Sequence, residues 1–415
     1  MAATASTAPS VADRADRWFA QRKADDQRRL KWVLVVAAIT AIYPFIDSAL
    51  GIGRLGTLIP MFVFVILAMG LNIVVGYAGL LDIGYVAFFV IGAYGNAFLT
   101  SPNSVFVQKG WVPEWLQAFW PAMAVSWILA AISGVIIGAP TLRLRGDYLA
   151  IVTLGFGEIV PDFYTNAESI TRGPRGIGQI AKPATIPGEI DFTIPLVDWH
   201  VNIPLPWDAI SFTTVDQRNW FWLILLVMLF SLFMITRLHD SRLGRAWQAI
   251  REDEVAAASM GVNLVRTKLW AFALGASFSG FAGAVYSGYV RVVYPDQFQF
   301  SISVIILCMV ILGGLGNVYG VIAGAMIIGA FDRILAEELS KPLNWIGEQI
   351  GWDALANHNV TSDRFLIFGV ALVLLMLLRP GGLFPQRARA AEMAPESEDI
   401  TAQEQEDLAD VSGRV

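Results

Sequence analysis

Long apolar runs alternate with short polar segments along almost the whole chain. Ten runs, 33–50, 56–75, 82–100, 118–139, 148–164, 220–236, 269–290, 302–316, 318–334 and 364–378, approach or reach the length needed to cross hydrocarbon as helices. That length is roughly 20 residues, because inside lipid each backbone amide has to be bonded within its own segment. The pattern predicts an all-α polytopic membrane protein of about ten transmembrane helices. The run 148–164 contains Glu158, Pro161 and Asp162, and it fits a broken or re-entrant helix as well as a straight one.

The polar segments orient the runs. If the N-terminus is cytoplasmic, 19 of the 29 lysines and arginines fall on the cytoplasmic side, mostly in short segments. They include Arg143 and Arg145 and the set Arg237, Arg242, Arg245, Arg251, Arg266 and Lys268. Both termini are expected on the cytoplasmic side of the membrane. The domain plan is a cytoplasmic tail over 1–32, a membrane domain over 33–380 and an acidic tail over 381–415. Two outer segments, 165–219 and 335–363, are too long for tight turns, and each fits an extracytoplasmic cap or a stiffened loop equally well.

Composition agrees with this picture. The chain is 55% hydrophobic and 15% charged, against about 25% charged in soluble domains. The net charge of −6 arises in the C-terminal tail, where eight acids follow from Glu392 onward against Arg414 alone. That tail reads as a solvated appendage, with a regulatory role as the alternative. Cys308 lies inside an apolar run, so no disulfide framework is available. The three histidines stand far apart, and neither a metal site nor a cofactor is expected. No short apolar segment near the N-terminus marks a cleaved signal.

Glycine costs roughly 1 kcal/mol against alanine inside a helix, so repeated use needs a reason. Gly275, Ser279, Gly283 and Ser287 recur every fourth residue, as do Gly316, Gly320 and Gly324, and Gly134 pairs with Gly138. Such stripes predict close helix–helix packing. Residues 76–94 and 313–331 share a weak similarity that fits chance between glycine-rich helices better than an internal repeat.

There is no GxxxxGK[ST] loop to hold nucleotide phosphates, so any energy from ATP has to come from another chain. The segment Arg237–Lys268 is the longest charged cytoplasmic stretch between runs. Within it, 244–260 predicts one amphipathic helix, with Trp247, Ile250, Val255 and Ala258 apolar and with Gly261 and Asn263 ending it. Its successive acids Glu252, Asp253 and Glu254 disfavour an anionic lipid surface, which favours a protein partner over an interfacial position.

These residues carry a family resemblance. GRAWQAIREDEVAAASMG (Gly244–Gly261) continuing into KLWAFALGASFSGFAG (Lys268–Gly283) resembles the coupling region of LivM-type permeases of branched-chain amino acid ABC importers. GYAGLLDIGYVAFFVIGAY (76–94), LRLRGDYLAIVTLGFGEI (142–159), ITRGPRGI (170–177), VILGGLGNVYG (310–320) and RPGGLFP (379–385) match the same family in order, over about 310 residues. The resemblance implies a fold similar to the vitamin B12 and ribose importer type. It also implies four kinds of partner: a LivH-type permease, two ATPase subunits, a periplasmic amino-acid-binding protein and the lipid bilayer, with no nucleic acid. It places Arg251, Glu252, Asp253, Glu254 and Gly261 against an ATPase and makes the chain a transport subunit with no catalytic residues.

For a substrate path the residues give weaker pointers. Asp82 and Glu158 are carboxylates at or near membrane-embedded runs, where an isolated charge costs at least roughly 2.5 kcal/mol. Asp82 also fits a plain cap on a helix beginning at Ile83. Asn72, Tyr85 and Thr153 offer polar groups by the same logic. A permease for urea or short amides is the nearest alternative. An ion-coupled secondary transporter would need paired ionisable groups at mid-membrane, and the two carboxylates stand alone.

Overall fold

A computed structural model of the chain describes residues 38–51, 53–141, 147–184, 189–194, 199–204, 212, 217–350, 362–379 and 381–384. The expectations for the N-terminal tail 1–32, for Arg143 and Arg145, for parts of the outer segments 165–219 and 335–363, and for the acidic tail from 385 onward lie outside the described residues. Residues up to Leu55 form one compact unit and Gly56 onward another. Of the first, the apolar helix α1 (Ala38–Leu50) is described.

In the second unit the main helices are α2 (Leu55–Tyr77), α3 (Val86–Thr100), α4 (Phe119–Thr141), α5 (Asp147–Asn166) and α6 (Arg218–His239). They continue with α7 (Arg242–Glu252), α8 (Glu254–Ser259), α9 (Leu264–Val290), α10 (Phe300–Gly313), α11 (Val318–Leu335), α12 (Ala336–Ile350) and α13 (Arg364–Leu378). Within the described residues, each apolar run of the sequence overlaps one of these helices. Among the described residues, six segments are long and apolar enough to cross a membrane: α2, α4, α6, α9, α10 with its leading turn from Pro295, and α11.

Of the two readings left open for 148–164, the structure takes the straight one, and a break is found elsewhere. That run forms one continuous helix, α5, with Pro161 inside it. The break falls at the start of 82–100, where the chain is non-helical from Ala78 to Tyr85 and α3 has only 15 residues. The local reason is a cluster of breakers. Gly79 takes φ +69°, a left-handed value open to glycine. The Asp82 carboxylate then accepts a bond from the Gly84 amide at 3.0 Å, closing a turn that competes with helix.

Helix α9 is the mast of the fold, with 27 residues, most of them buried. The Asn263 side chain caps it by accepting from the Arg266 amide at 3.0 Å, so this residue starts α9 rather than ending the helix before it. The predicted small-residue stripes lie where α9 meets α3 and α4. A Cβ at Gly92 would stand 2.2 Å from the Gly280 carbonyl oxygen, and one at Gly283 would stand 2.4 Å from that of Phe89. On the other flank a Cβ at Gly134 would meet Ala276 at 2.6 Å. Asn96 ties α3 to the same mast by donating to Ala284 O at 3.2 Å and Ser287 Oγ at 2.9 Å. Such backbone approach supplies the van der Waals contact that holds helices together in lipid, where apolar burial gives no drive.

Helices α10 and α11 form a second glycine-lined pair through Gly313, Gly320 and Gly324. Their turn is held by the 381–384 segment: Leu383 N donates to Leu312 O at 2.9 Å, and the Asn317 amide donates to Phe384 O at 2.9 Å. On the side expected to be outer, Ile177–Gly178 pairs antiparallel with Val292–Val293, and Glu189–Ile194 forms a hairpin with Trp199–Pro204.

Replacing Gly92 by Val forces a side chain into the Gly280 backbone, an overpacking cost of at least about 1–3 kcal/mol. The melting temperature of the detergent-solubilised protein is expected to fall clearly. Gly155→Ala, in α5 with open space around the Cβ position, is expected to leave it unchanged or raise it.

Candidate functional site

The segment between α6 and α9 folds as two short helices, where the sequence predicts one. Ser241 starts α7 by accepting from the Gly244 amide at 3.2 Å. Asp253 then leaves the helix at φ −152° and ψ 114°, and its carboxylate accepts from Val255 N at 2.7 Å and Ala256 N at 3.0 Å. An Asp at this position caps a new helix more favourably than it continues the old one. Gly261, at φ +86°, closes α8 as expected.

The break re-aims the side chains. Trp247 and Ile250 point inward, at 0% and 3% exposure, and the Trp247 indole donates to Thr267 O in α9 at 2.7 Å. Val255, expected on that same apolar face, is 76% exposed, and Met260 is 85% exposed. Two of the five residues expected against an ATPase are tied into the chain. The Arg251 guanidinium donates to the Gly76 carbonyl at the end of α2. Glu254 pairs with the buried Lys268 ammonium at 2.6 Å. Glu252, Asp253 and Gly261 are exposed. The accessible surface of α7 and α8 thus presents Val255 and Met260 beside Glu252 and Asp253, with Arg242 and Arg245 also exposed.

Of the five residues considered for a substrate path, three gather at the non-helical loop 78–85. α2 ends in a π-helical turn, Ile73–Tyr77, and the chain then returns into the bundle. Tyr85 donates to Gly275 O at 2.8 Å, and its hydroxyl lies against Gly70. At 1.5 Å rise per residue those positions lie about 16 Å into α9 and about 10 Å before the end of α2. Helix α3 therefore starts within the bundle. Thr153 in α5 accepts from the Ile83 amide at 3.1 Å, and Gly84 and Gly157 meet backbone to backbone. The Asp82 carboxylate is 2% exposed. Its Oδ1 accepts from Gly84, while Oδ2 has no partner among the described residues. Asp82 thus closes a turn within the loop rather than capping a helix at Ile83.

Asn72 stands one step away. Its Oδ1 accepts from Gly316 N at 2.9 Å, joining α2 to the α10–α11 turn. Glu158 is not part of the cluster: it is exposed on the outward face of α5, near Ile151, Ile159 and Phe163.

Ser303 belongs to the site and carries no signal in the sequence. Its hydroxyl accepts from the Val86 amide at 2.9 Å, so the first turns of α3 and α10 meet at this level. The closely spaced glycines Gly76, Gly79 and Gly84 inside an apolar stretch were the available hint that this run is not a simple helix.

A family model described as branched-chain amino acid transport system / permease component matches residues 53–379. The chain is 37% identical over 357 residues to the high-affinity branched-chain amino acid transport system permease protein LivM of Escherichia coli (strain K12), covering 86% of this chain and 75% of the relative. It is 35% identical over 355 residues to the LivM protein of Salmonella typhimurium, covering 85% and 74%. It is also 23% identical over 281 residues to the LivH permease protein of Escherichia coli (strain K12), covering 67% and 83%. No solved structure matches.

Thr153→Val leaves the Ile83 amide buried without an acceptor, a cost of about 1–3 kcal/mol. The melting temperature in detergent is expected to drop, and Thr153→Ser, which keeps the hydroxyl, is expected to restore it.

Proposed function

The chain belongs to the family of branched-chain amino acid transport permease components, and from that membership we propose that it is a channel subunit of an ATP-driven importer carrying leucine, isoleucine and valine from periplasm to cytoplasm. The observation that carries this reading is the coupling segment. Between two membrane helices, α7 and α8 present exposed Val255 and Met260, flanked by Glu252 and Asp253, on a frame fixed by Trp247 and Lys268. Large apolar side chains kept out of the fold and rimmed by charge have the anatomy of a protein interface. The chain has no phosphate-binding loop of its own, and an ATPase is the partner such a surface serves.

The subunit crosses the inner membrane ten times with both termini cytoplasmic. It pairs with a LivH-type permease, two ATPase subunits and a periplasmic binding protein, in an architecture similar to the vitamin B12 and ribose importers. The lysine and arginine distribution supports the orientation, and the similarity to LivH supports a homologous second permease. Substrate passes by the loop 78–85, where Asp82, Tyr85 and Thr153 bring polar groups to membrane depth, with Asn72 below them and Glu158 on the outward face of α5. Buried non-helical backbone at membrane depth is found where it lines a pathway or is enclosed by protein.

Purification from the native membrane should recover two ATPase subunits with the chain, and the reconstituted complex should take up leucine in competition with isoleucine and valine. Recovery with no ATPase overturns the reading. The double variant Val255→Asp, Met260→Asp leaves the interior untouched and is expected to weaken ATPase binding at least about ten-fold, as removal of central apolar contacts does. Asp82→Asn keeps the acceptor for Gly84. It is expected to lower uptake without lowering the melting temperature, and unchanged uptake removes Asp82 from the path.

A further inference from the structure

We propose that Arg251 is a mechanical clasp between the coupling helix and the membrane-embedded loop 78–85, and that it transmits the ATPase stroke into the bundle rather than touching the ATPase. This rests on the proposed function. The observation is where the side chain goes. Arg251 is the last but one residue of α7, in a segment open to solvent, yet its guanidinium reaches inward and donates to the carbonyl of Gly76 in the π-helical end of α2. A helix C-terminus leaves carbonyls without intrahelical partners, and a cation there is favoured by the helix dipole.

The contact continues along the stem. A Cβ at Gly79 would stand 2.9 Å from Arg251 Cγ, so the methylene chain lies flat against the loop where it turns at φ +69°. Three residues later stands Asp82, and six later Tyr85 bonds to α9. Helix α7 is therefore fastened to α9 through Trp247, to the end of α6 through Gln248 beside His239 at 2.8 Å, and to the start of the loop through Arg251. A tilt of α7 about its Trp247 anchor would move the Arg251 end, and with it Gly76, Gly79 and the loop. The loop has few backbone bonds to resist, since its amides at Ile83 and Gly84 and the Val86 amide just beyond it are held by single side-chain acceptors. Glu254, the other inward-held residue, pairs with Lys268 near the base of α9 and does not reach the loop.

The test uses the full complex carrying Cys308→Ala, which removes the one native thiol, and Leu81→Cys, a half-exposed position on the loop. Labelling by a water-soluble maleimide is measured with and without ATP plus vanadate, alongside leucine uptake and ATP hydrolysis. The labelling rate is expected to change on nucleotide trapping. In Arg251→Ala that change is expected to vanish, the ATPase still co-purifies, and uptake per ATP hydrolysed falls about ten-fold, a size typical of coupling between sites. Arg251→Lys, which keeps a cationic donor, is expected to recover most of the response.

Loss of ATPase binding in Arg251→Ala makes the residue an interface contact and overturns the clasp, as does an unchanged labelling response. Should that variant fail to accumulate, Gly79→Ala is read in its place. Its methyl displaces the Arg251 stem, and a retained nucleotide response there overturns the proposal equally. A parent complex that hydrolyses ATP without any change at the Leu81→Cys position overturns the clasp alone. A parent with no ATPase bound overturns the proposed function and the clasp with it.

Discussion

In hydrocarbon no water completes a backbone hydrogen bond, so each amide that leaves a helix has to find a partner elsewhere in the chain. The segment from Ala78 to Tyr85 leaves helix next to the apolar span of α2, and much of the structure is arranged around meeting its amides. The Ala78 and Leu80 amides return to Ile73 and Val74 carbonyls in the π turn of α2. The Ile83 amide goes to Thr153, that of Gly84 to Asp82, and that of Val86 to Ser303. The Gly76 carbonyl is taken by Arg251. Four separate parts of the chain therefore converge on one short loop, and deleting any of these partners leaves a loop donor or acceptor unmet.

That convergence depends on how closely the helices approach. Gly92 on Gly280, Gly283 on the Phe89 carbonyl and Gly84 on Gly157 each bring backbones to distances that any Cβ would forbid. The small-residue faces of α9 set α3 at the depth where its first turn can meet Ser303 and its Tyr85 can reach Gly275. The same helix receives the Trp247 indole near its N-terminal end, so the α7–α8 segment and the loop 78–85 hang from one support. A motion imposed on α7 and α8 is then referred to the same frame that holds the loop.

The family fits this economy. A transport subunit without its own ATP site needs an outward-facing surface for a motor and an inward path to convey its stroke. On the proposed function, exposed Val255 and Met260 supply the first, and inward-turned Arg251 and Glu254 lie behind them. The acids of the coupling segment thus divide into two roles that their adjacency in sequence conceals. Asp253 is the pivot, because its carboxylate ends one helix and begins the next.

Taken by itself, the sequence determined the membrane class, the position of the helices, the small-residue packing faces, the charged segment between α6 and α9 and its Gly261 stop. Each follows from a local property: mean hydropathy over a window, a four-residue period, or a charged stretch between apolar ones. Only the tertiary structure decided that α3 starts inside the bundle, that 244–260 is two helices with Val255 turned outward, and that Glu158 stands apart from Asp82, Tyr85 and Thr153. It alone also brought Ser303 to the site and Arg251 to Gly76. The physical reason is distance along the chain. The partners that fix these groups lie 70 positions away for Ile83, 217 for Val86 and 175 for Arg251. Hydrophobic periodicity records which face of a helix is apolar, but a single hydrogen bond across that separation leaves no mark on it.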